Sequence, residues 1–249
     1  MKIIDWKTFN SESFYMSDPS GAVIGVFDGL HKGHKHLLDR LDNKNLTEKI
    51  VFTFRKNPRY ILNRQSYCGD IYTYKQKIAA LKKAGVTTVV LIDFSGDFSK
   101  LSGKYFIACI LKHLNLKKMS AGEDFKCGSG NDTNVRDLVR IFSERKIDLE
   151  IIKRIKHENI TVSSSAIRKY IQSGNFQMAE MLLEYGYSID FSSIEVHEDR
   201  DMFYAERKNT GQILPPEGRF AVSITINNIT SLKDVIIDNK YISWYKTSG

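Results

Sequence analysis

The chain has 249 residues, 42% of them hydrophobic and 27% charged, which suits a folded protein and excludes wholesale disorder. No run of 18 apolar residues occurs, and Asp5 and Lys7 interrupt any apolar segment near Met1, so neither a membrane span nor a secretory signal is expected. The net charge of +8 is uneven: residues 186–249 hold 7 Lys/Arg against 9 Asp/Glu, which leaves +10 on residues 1–185, as a binder of phosphate-rich ligands would have. Three cysteines, Cys68, Cys109 and Cys127, with no Cys-x-x-Cys pair, disfavour a disulfide framework or a thiolate zinc site and fit a reducing cytoplasm.

Read in chain order, Ala22–Phe27 (AVIGVF) predicts a buried strand and Gly33–Leu41 an amphipathic helix with Leu37, Leu38 and Leu41 on one stripe. Lys49–Phe54 predicts a second strand, Tyr74–Ala84 a helix capped by Gly85, and Val86–Asp93 a third strand. Gly103–Leu114 reads as a helix, Leu116–Ala121 as a short strand, Asn134–Arg145 as a helix and Asp148–Ile155 as a strand. Helices over Ser165–Gln172 and Asn175–Glu184 follow, with Gly174 between them. Strands alternating with helices of this length predict βαβ units and a mostly parallel, doubly wound sheet. After Tyr185 the pattern changes to β-branched runs, Phe220–Ile226 and Asp234–Ile237, with a turn signal at Pro215–Gly218. The expected organisation is an α/β domain over 1–185 and a small β-rich domain over 186–249.

The segment Gly25-Val-Phe-Asp-Gly-Leu-His-Lys-Gly-His34 runs from a strand end through a glycine turn into a helix. That places backbone N–H groups and a helix N-terminus where anions bind in open α/β sheets. Gly29 and Gly33 let the backbone approach a ligand, and His31 and His34, three apart, project to one side to donate to phosphate oxygens. Ser163, Ser164 and Ser165 are N-cap residues for the next helix, a second phosphate cradle to which Arg168 adds a permanent charge. Donors and cations placed in this way suit nucleotidyl transfer, in which charge builds on the oxygens around an α-phosphorus and no covalent enzyme intermediate is needed.

His31-Lys-Gly-His34 resembles the His-x-Gly-His signature of the nucleotidylyltransferase superfamily. The longer Gly-x-Phe-Asp-Gly-x-His-x-Gly-His string resembles the N-terminal adenylyltransferase module of the prokaryotic bifunctional FAD synthetases, which join a riboflavin kinase to an FMN adenylyltransferase. Three further segments follow in that family's order. Thr53–Pro58 sits where the family has Thr-Phe-x-Pro-His-Pro, Gly122–Gly128 resembles its Gly-x-Asp-Phe-x-Phe-Gly loop, and Val162–Arg168 resembles its Ile-Ser-Ser-Thr-x-Ile-Arg.

The resemblance implies a Rossmann-like nucleotidyltransferase fold, ATP with Mg²⁺ and FMN as substrates, and FAD as product. It implies ATP contacts from Gly25, Phe27, Asp28, Gly33, His34, Ser163, Ser164, Ser165 and Arg168, with His31, His34 and Arg168 stabilising the transition state. Asn57, Asp124 and Phe125 fall on the flavin side, with Asp124 also a metal ligand. Four positions depart from the pattern: Lys56 and Asn57 replace Pro and His, Cys127 replaces Phe, and Ser165 replaces Thr. Ile213–Val222 resembles a strand of the kinase barrel. The kinase's Gly-x-Pro-Thr-Ala-Asn signature has no counterpart in Asp199–Thr210, and the sequence stops before the position of its catalytic glutamate, so a truncated barrel without riboflavin kinase activity is expected. Two other readings fit the residues: a nucleotidyltransferase for another phosphorylated acceptor, or a paralogue that binds nucleotide or flavin without turnover. No nucleic-acid partner is expected, since no RNA-binding signature interleaves aromatic and basic residues.

Overall fold

Strands of near-continuous Val, Ile and Phe are stable only where both faces of their sheet are covered. Glu48–Phe54 and Thr88–Ile92 have this composition, and in the computed structural model they lie at the heart of a six-stranded parallel sheet. The structure describes residues 1–94 and 96–246, so the last three residues of the expected 186–249 region lie outside the description. Across the sheet the strands run Lys2–Asp5, Thr88–Ile92, Glu48–Phe54, Met16–Ile24, Leu114–Gly122, Asp148–Ile152, and every neighbouring pair is parallel. The chain therefore winds outward to one side of Met16–Ile24 and then crosses back to the other. The crevice beyond the carboxyl ends of Met16–Ile24 and Leu114–Gly122 is a topological switch point, where ligands bind in such sheets.

Alternate residues feed two cores. Val23, Val51, Val89 and Leu91 pack on one face with Leu38, Leu81 and Ile167; Ala22, Ile50, Phe52, Val90 and Ile92 pack on the other with Phe106, Ile110, Leu138 and Phe142. The covering helices are Lys32–Asp39, Tyr74–Lys83, Gly103–His113, Val135–Glu144, Ser164–Gln172 and Phe176–Leu182. Thr73–Gln76 and Asn134–Asp137 form capping boxes that fix two helix starts.

The predicted elements recur with shifted ends. The first long strand spans Met16–Ile24 and stops short of Phe27, because Phe27 adopts a left-handed conformation (φ 52°) that no strand accommodates. Leu114–Gly122 is longer than predicted and follows its helix without a connecting loop. The predicted strand over 148–155 ends at Ile152. Lys2–Asp5 and the helices Trp6–Phe9 and Pro58–Leu62 were not anticipated; each is too short to show periodicity.

Residues 197–245 build a five-stranded antiparallel sheet: His197–Asp199, Met202–Glu206, Tyr241–Tyr245, Ile229–Ile237, Gly218–Ile226. Its last two strands form a hairpin closed by Asn227 and Asn228, both at positive φ (50° and 66°), as a mirror-type turn requires. Among the described residues, no helix is long and apolar enough to cross a membrane.

Candidate active site

A cleft of about 650 Å³ opens at the switch point. Its floor is the segment 26–34. Three backbone-directed bonds pin this loop: Gly25 N–H donates to Phe52 O (3.0 Å), Thr53 Oγ1 to Val26 O (2.9 Å), and Glu184 N–H to Leu30 O (2.9 Å). Gly29 (φ 64°) makes the turn, and a Cβ there would sit 2.7 Å from Ile71 Cγ2, so both conformation and space demand glycine.

His31 caps the helix Lys32–Asp39 with its ring, Nδ1 accepting from His34 N–H at 3.2 Å. The two imidazoles stack, with centroids 3.6 Å apart and planes 13° from parallel, and Phe27 packs on His34 at 4.6 Å. Burial holds both rings neutral: it pulls His31 down to about 4, and it holds His34 well below the usual range, with the neighbouring His31 adding to the effect.

The hydrogen bonds make the two rings chemically different. His31 Nδ1 accepts, so neutral His31 carries its proton on Nε2 and offers a donor. His34 Nδ1 lies 3.3 Å from Gly29 O, which only accepts, so neutral His34 carries its proton on Nδ1 and leaves a lone pair on Nε2. Taking up one proton turns His34 into a second donor.

Asp28 is the hub beneath the cleft. Its carboxylate is 5% exposed and accepts from Ile71 N–H (2.8 Å), Tyr72 N–H (3.3 Å), Asn57 Nδ2 (3.1 Å) and Arg168 Nη2. Its carbonyl accepts from Ser164 Oγ at 2.9 Å, tying the helix Ser164–Gln172 to the histidine loop. Ser163 caps that helix on Ala166 N–H at 3.2 Å. Ser165 is exposed and takes a long contact from Arg59 Nη1 (3.5 Å).

The structure brings His31, His34, Gly33, Asp28, Asn57, Asp124, Ser163, Ser164, Ser165 and Arg168 to one cleft. Several do other work than the sequence suggests. Arg168 is buried, with Nε on Gly69 O (3.2 Å) and Nη2 on Asp28, so its charge is compensated before any phosphate arrives. Burial lowers it to about 10, which leaves it protonated at neutral pH. Asn57 has both amide hydrogens spent, on Asp28 and on Asp70 (3.2 Å), while its oxygen caps Pro58–Leu62; it is a structural bridge with no donor left for a ligand.

Phe27 is fully buried behind His34 and does not line the cleft. Gly25 lies beneath it: a Cβ there would meet the Phe27 ring at 3.0 Å. Phe125 likewise turns inward after the turn at Glu123–Asp124, half-buried against the core of Phe106 and Leu138. Asp124 is exposed and ion-paired with Arg154 at 3.0 Å.

Sequence reasoning missed Arg59, Lys153 and Arg154 on the cleft walls, and the half-buried Tyr67–Asp70 pair that holds Asn57. It also missed the clasp behind them. Asp70 N–H donates to Gly211 O (3.0 Å) and Ile213 N–H to Asp70 O (2.8 Å), so the C-terminal region grips the strip that feeds Asp28. A Cβ at Gly69 (φ 108°) would collide with the Gln212 backbone.

The FAD synthetase family matches residues 16–166, from the central strand to the serines at the start of the helix Ser164–Gln172. This chain belongs to that family. It is accordingly a nucleotidyltransferase. Among FAD synthetase relatives, a bifunctional riboflavin kinase/FMN adenylyltransferase of Bacillus subtilis (strain 168) is 29% identical over 219 residues, covering 82% of this chain and 67% of that one. A protein of the same description from Escherichia coli (strain K12) is 28% identical over 211 residues, covering 81% and 67%. A crystal structure of a macrolide-efflux protein from Streptococcus pneumoniae superposes with a TM-score of 0.80 at 23% identity, covering 100% of this chain and 94% of that one. At that identity the likeness is one of fold, and it extends through both sheets of this FAD synthetase relative.

Proposed function

We propose that this protein transfers AMP from ATP to FMN, giving FAD and pyrophosphate, and that it has no riboflavin kinase activity. The observation that carries the reading is the union of the two phosphate-binding segments: Ser164 Oγ on Asp28 O sets the start of one helix beside the stacked His31–His34 pair at the switch point. Adenosine triphosphate then lies with its phosphates across both helix starts, where N–H groups and the dipole favour anions. An FMN phosphate oxygen attacks the α-phosphorus in line, the new P–O bond forms as the bond to the β-phosphate oxygen breaks, and pyrophosphate leaves. Neutral His31 donates from Nε2 to the developing charge, and the neutral His34 ring stacked on it holds that donor in place. Arg168 acts chiefly as a positioning group that holds Asp28 and the loop above it.

Magnesium enters with ATP. No group of three or more His, Cys, Asp or Glu side chains suited to an ion occurs among the described residues, while Asp124 stands exposed at the cleft. One protein carboxylate plus substrate phosphates suits magnesium, whose chemistry there is to neutralise phosphate charge. Residues 1–185 carry the reaction, and 186–249 serve as a small β-rich support domain. The missing kinase signature in Asp199–Thr210, which forms a strand pair and a short turn, supports the absence of the kinase. A cytoplasmic location fits the free cysteines.

The test is to incubate the protein with ATP, MgCl₂ and either FMN or riboflavin and separate the flavins by chromatography. FAD from FMN with riboflavin unchanged is the expected outcome. FMN formed from riboflavin overturns the second half of the proposal; no flavin product from folded protein overturns the first.

A further inference from the structure

We propose that Arg59 is the cation that grips the pyrophosphate end of ATP, opposite the helix start at Ser164–Ser165. The assignment rests on the adenylyl-transfer reading for its direction along the triphosphate. It begins from the charge balance of the cleft. A triphosphate is polyanionic, yet two of the four arginine and lysine side chains that line the cleft, Arg154 and Arg168, already have carboxylate partners. Arg168 is buried against Asp28, and Arg154 pairs with Asp124 at the exposed rim. His31 and His34 are held neutral by burial.

Arg59 differs. Its guanidinium lines the cleft, is exposed, and has no carboxylate within ion-pair distance among the described residues; its one side-chain contact is the 3.5 Å approach to Ser165 Oγ. Lys153 also lines the cleft without a carboxylate partner among these residues. It follows the strand Asp148–Ile152, on the far side of the switch point from Arg59, beside Arg154 and Asp124. The two free cations therefore flank opposite ends of the cleft, and Arg59 has the serine helix.

The backbone of Arg59 is rigidly placed. Asn57 Oδ1 accepts Arg59 N–H at 3.1 Å, and Pro58 fixes φ at the first helical position. Asn57 itself cannot carry charge and has no donor to spare, so the positive charge of this wall sits two residues further on. Arginine's planar fork suits two phosphate oxygens at once. Across from it, the amides at the start of Ser164–Gln172 supply the second half of the grip.

The experiment compares wild type with Arg59→Gln and Arg59→Lys in two assays. The first is the reverse reaction, FAD and pyrophosphate giving FMN and ATP. The second is calorimetric titration with pyrophosphate itself, which needs no turnover. Arg59→Gln is expected to raise the KM and the Kd for pyrophosphate about ten- to a hundredfold, the loss of one charge-assisted contact, with the KM for FAD changed less than about twofold and partial recovery in Arg59→Lys. Unchanged thermal melting of these exposed-site variants shows that folding is intact. If wild type makes FAD and Arg59→Gln binds pyrophosphate as wild type does, the Arg59 assignment falls and the reaction stands. If wild type makes no FAD but Arg59→Gln still loses its pyrophosphate affinity, the assignment stands and adenylyl transfer falls.

Discussion

In Thr88–Ile92 all five residues are buried, whereas in Gly218–Ile226 exposed and half-buried residues alternate. The first strand lies between two layers of helices, with a core on each face. The second belongs to a sheet with one small core, Leu214, Val235, Ile237, Ile242 and Trp244; its open outer face carries Leu232, and Ile226 and Ile229 on the core side reach solvent at the hairpin tip, beyond that core. The comparison teaches where the site's rigidity originates. The parallel sheet positions the histidine loop and the serine helix. The C-terminal region reaches the chemistry through residues 211–213, which precede the strand Gly218–Ile226 and clamp Gly69–Ile71 and so the amide that Asp28 accepts. Ile213 is wholly buried in the core of the parallel sheet although it comes from the C-terminal region.

The largest way to break the site is Asp28→Ala. It strands Arg168 as a buried charge without a counter-ion and frees two backbone amides, with an expected loss of about 3–5 kcal/mol in urea unfolding and of FAD formation. A smaller loss in stability would mean that water reaches the pair. Ile213→Ala sharpens the comparison. If the C-terminal strip belongs energetically to the parallel-sheet core, the substitution costs about 2–5 kcal/mol and lowers activity with it; a cost below about 1 kcal/mol would make the strip a loose appendage.

The pH dependence is expected to be next in size. Both histidines are depressed below their unfolded values, His31 to about 4. Between pH 6.5 and about 4 the unfolded chain binds protons that the folded one refuses, so stability falls as pH falls through that window, by up to about 3 kcal/mol from His31. Urea midpoints at pH 7 and pH 5 measure the slope. His31→Asn, which keeps a capping acceptor without a titratable ring, should reduce it to the part that His34 contributes. The smallest effect is expected for Leu232→Ser on the exposed hairpin face, within about 0.5 kcal/mol of wild type; a larger destabilisation would reveal packing on that face.

The sequence by itself determined the alternation of strands and helices and singled out the two segments that meet at the cleft. Those signals are local: hydrophobic period, glycine and cap residues, and a histidine spacing that one helix turn enforces. It also marked the change from alternating strands and helices to strands alone in the C-terminal part. Tertiary structure alone decided the rest, because the rest depends on partners far apart in the chain. Arg168 is 140 residues from the carboxylate that compensates it, and Asn57 is 29 from the same group. A free positive charge and a buried, neutralised one are the same letter in a sequence, and so are a ring that faces a ligand and one that faces the core, as Phe125 does. Only the packing of the sheet and the clasp of residues 211–213 fix which donors are spent and which, at Arg59, are left for a ligand.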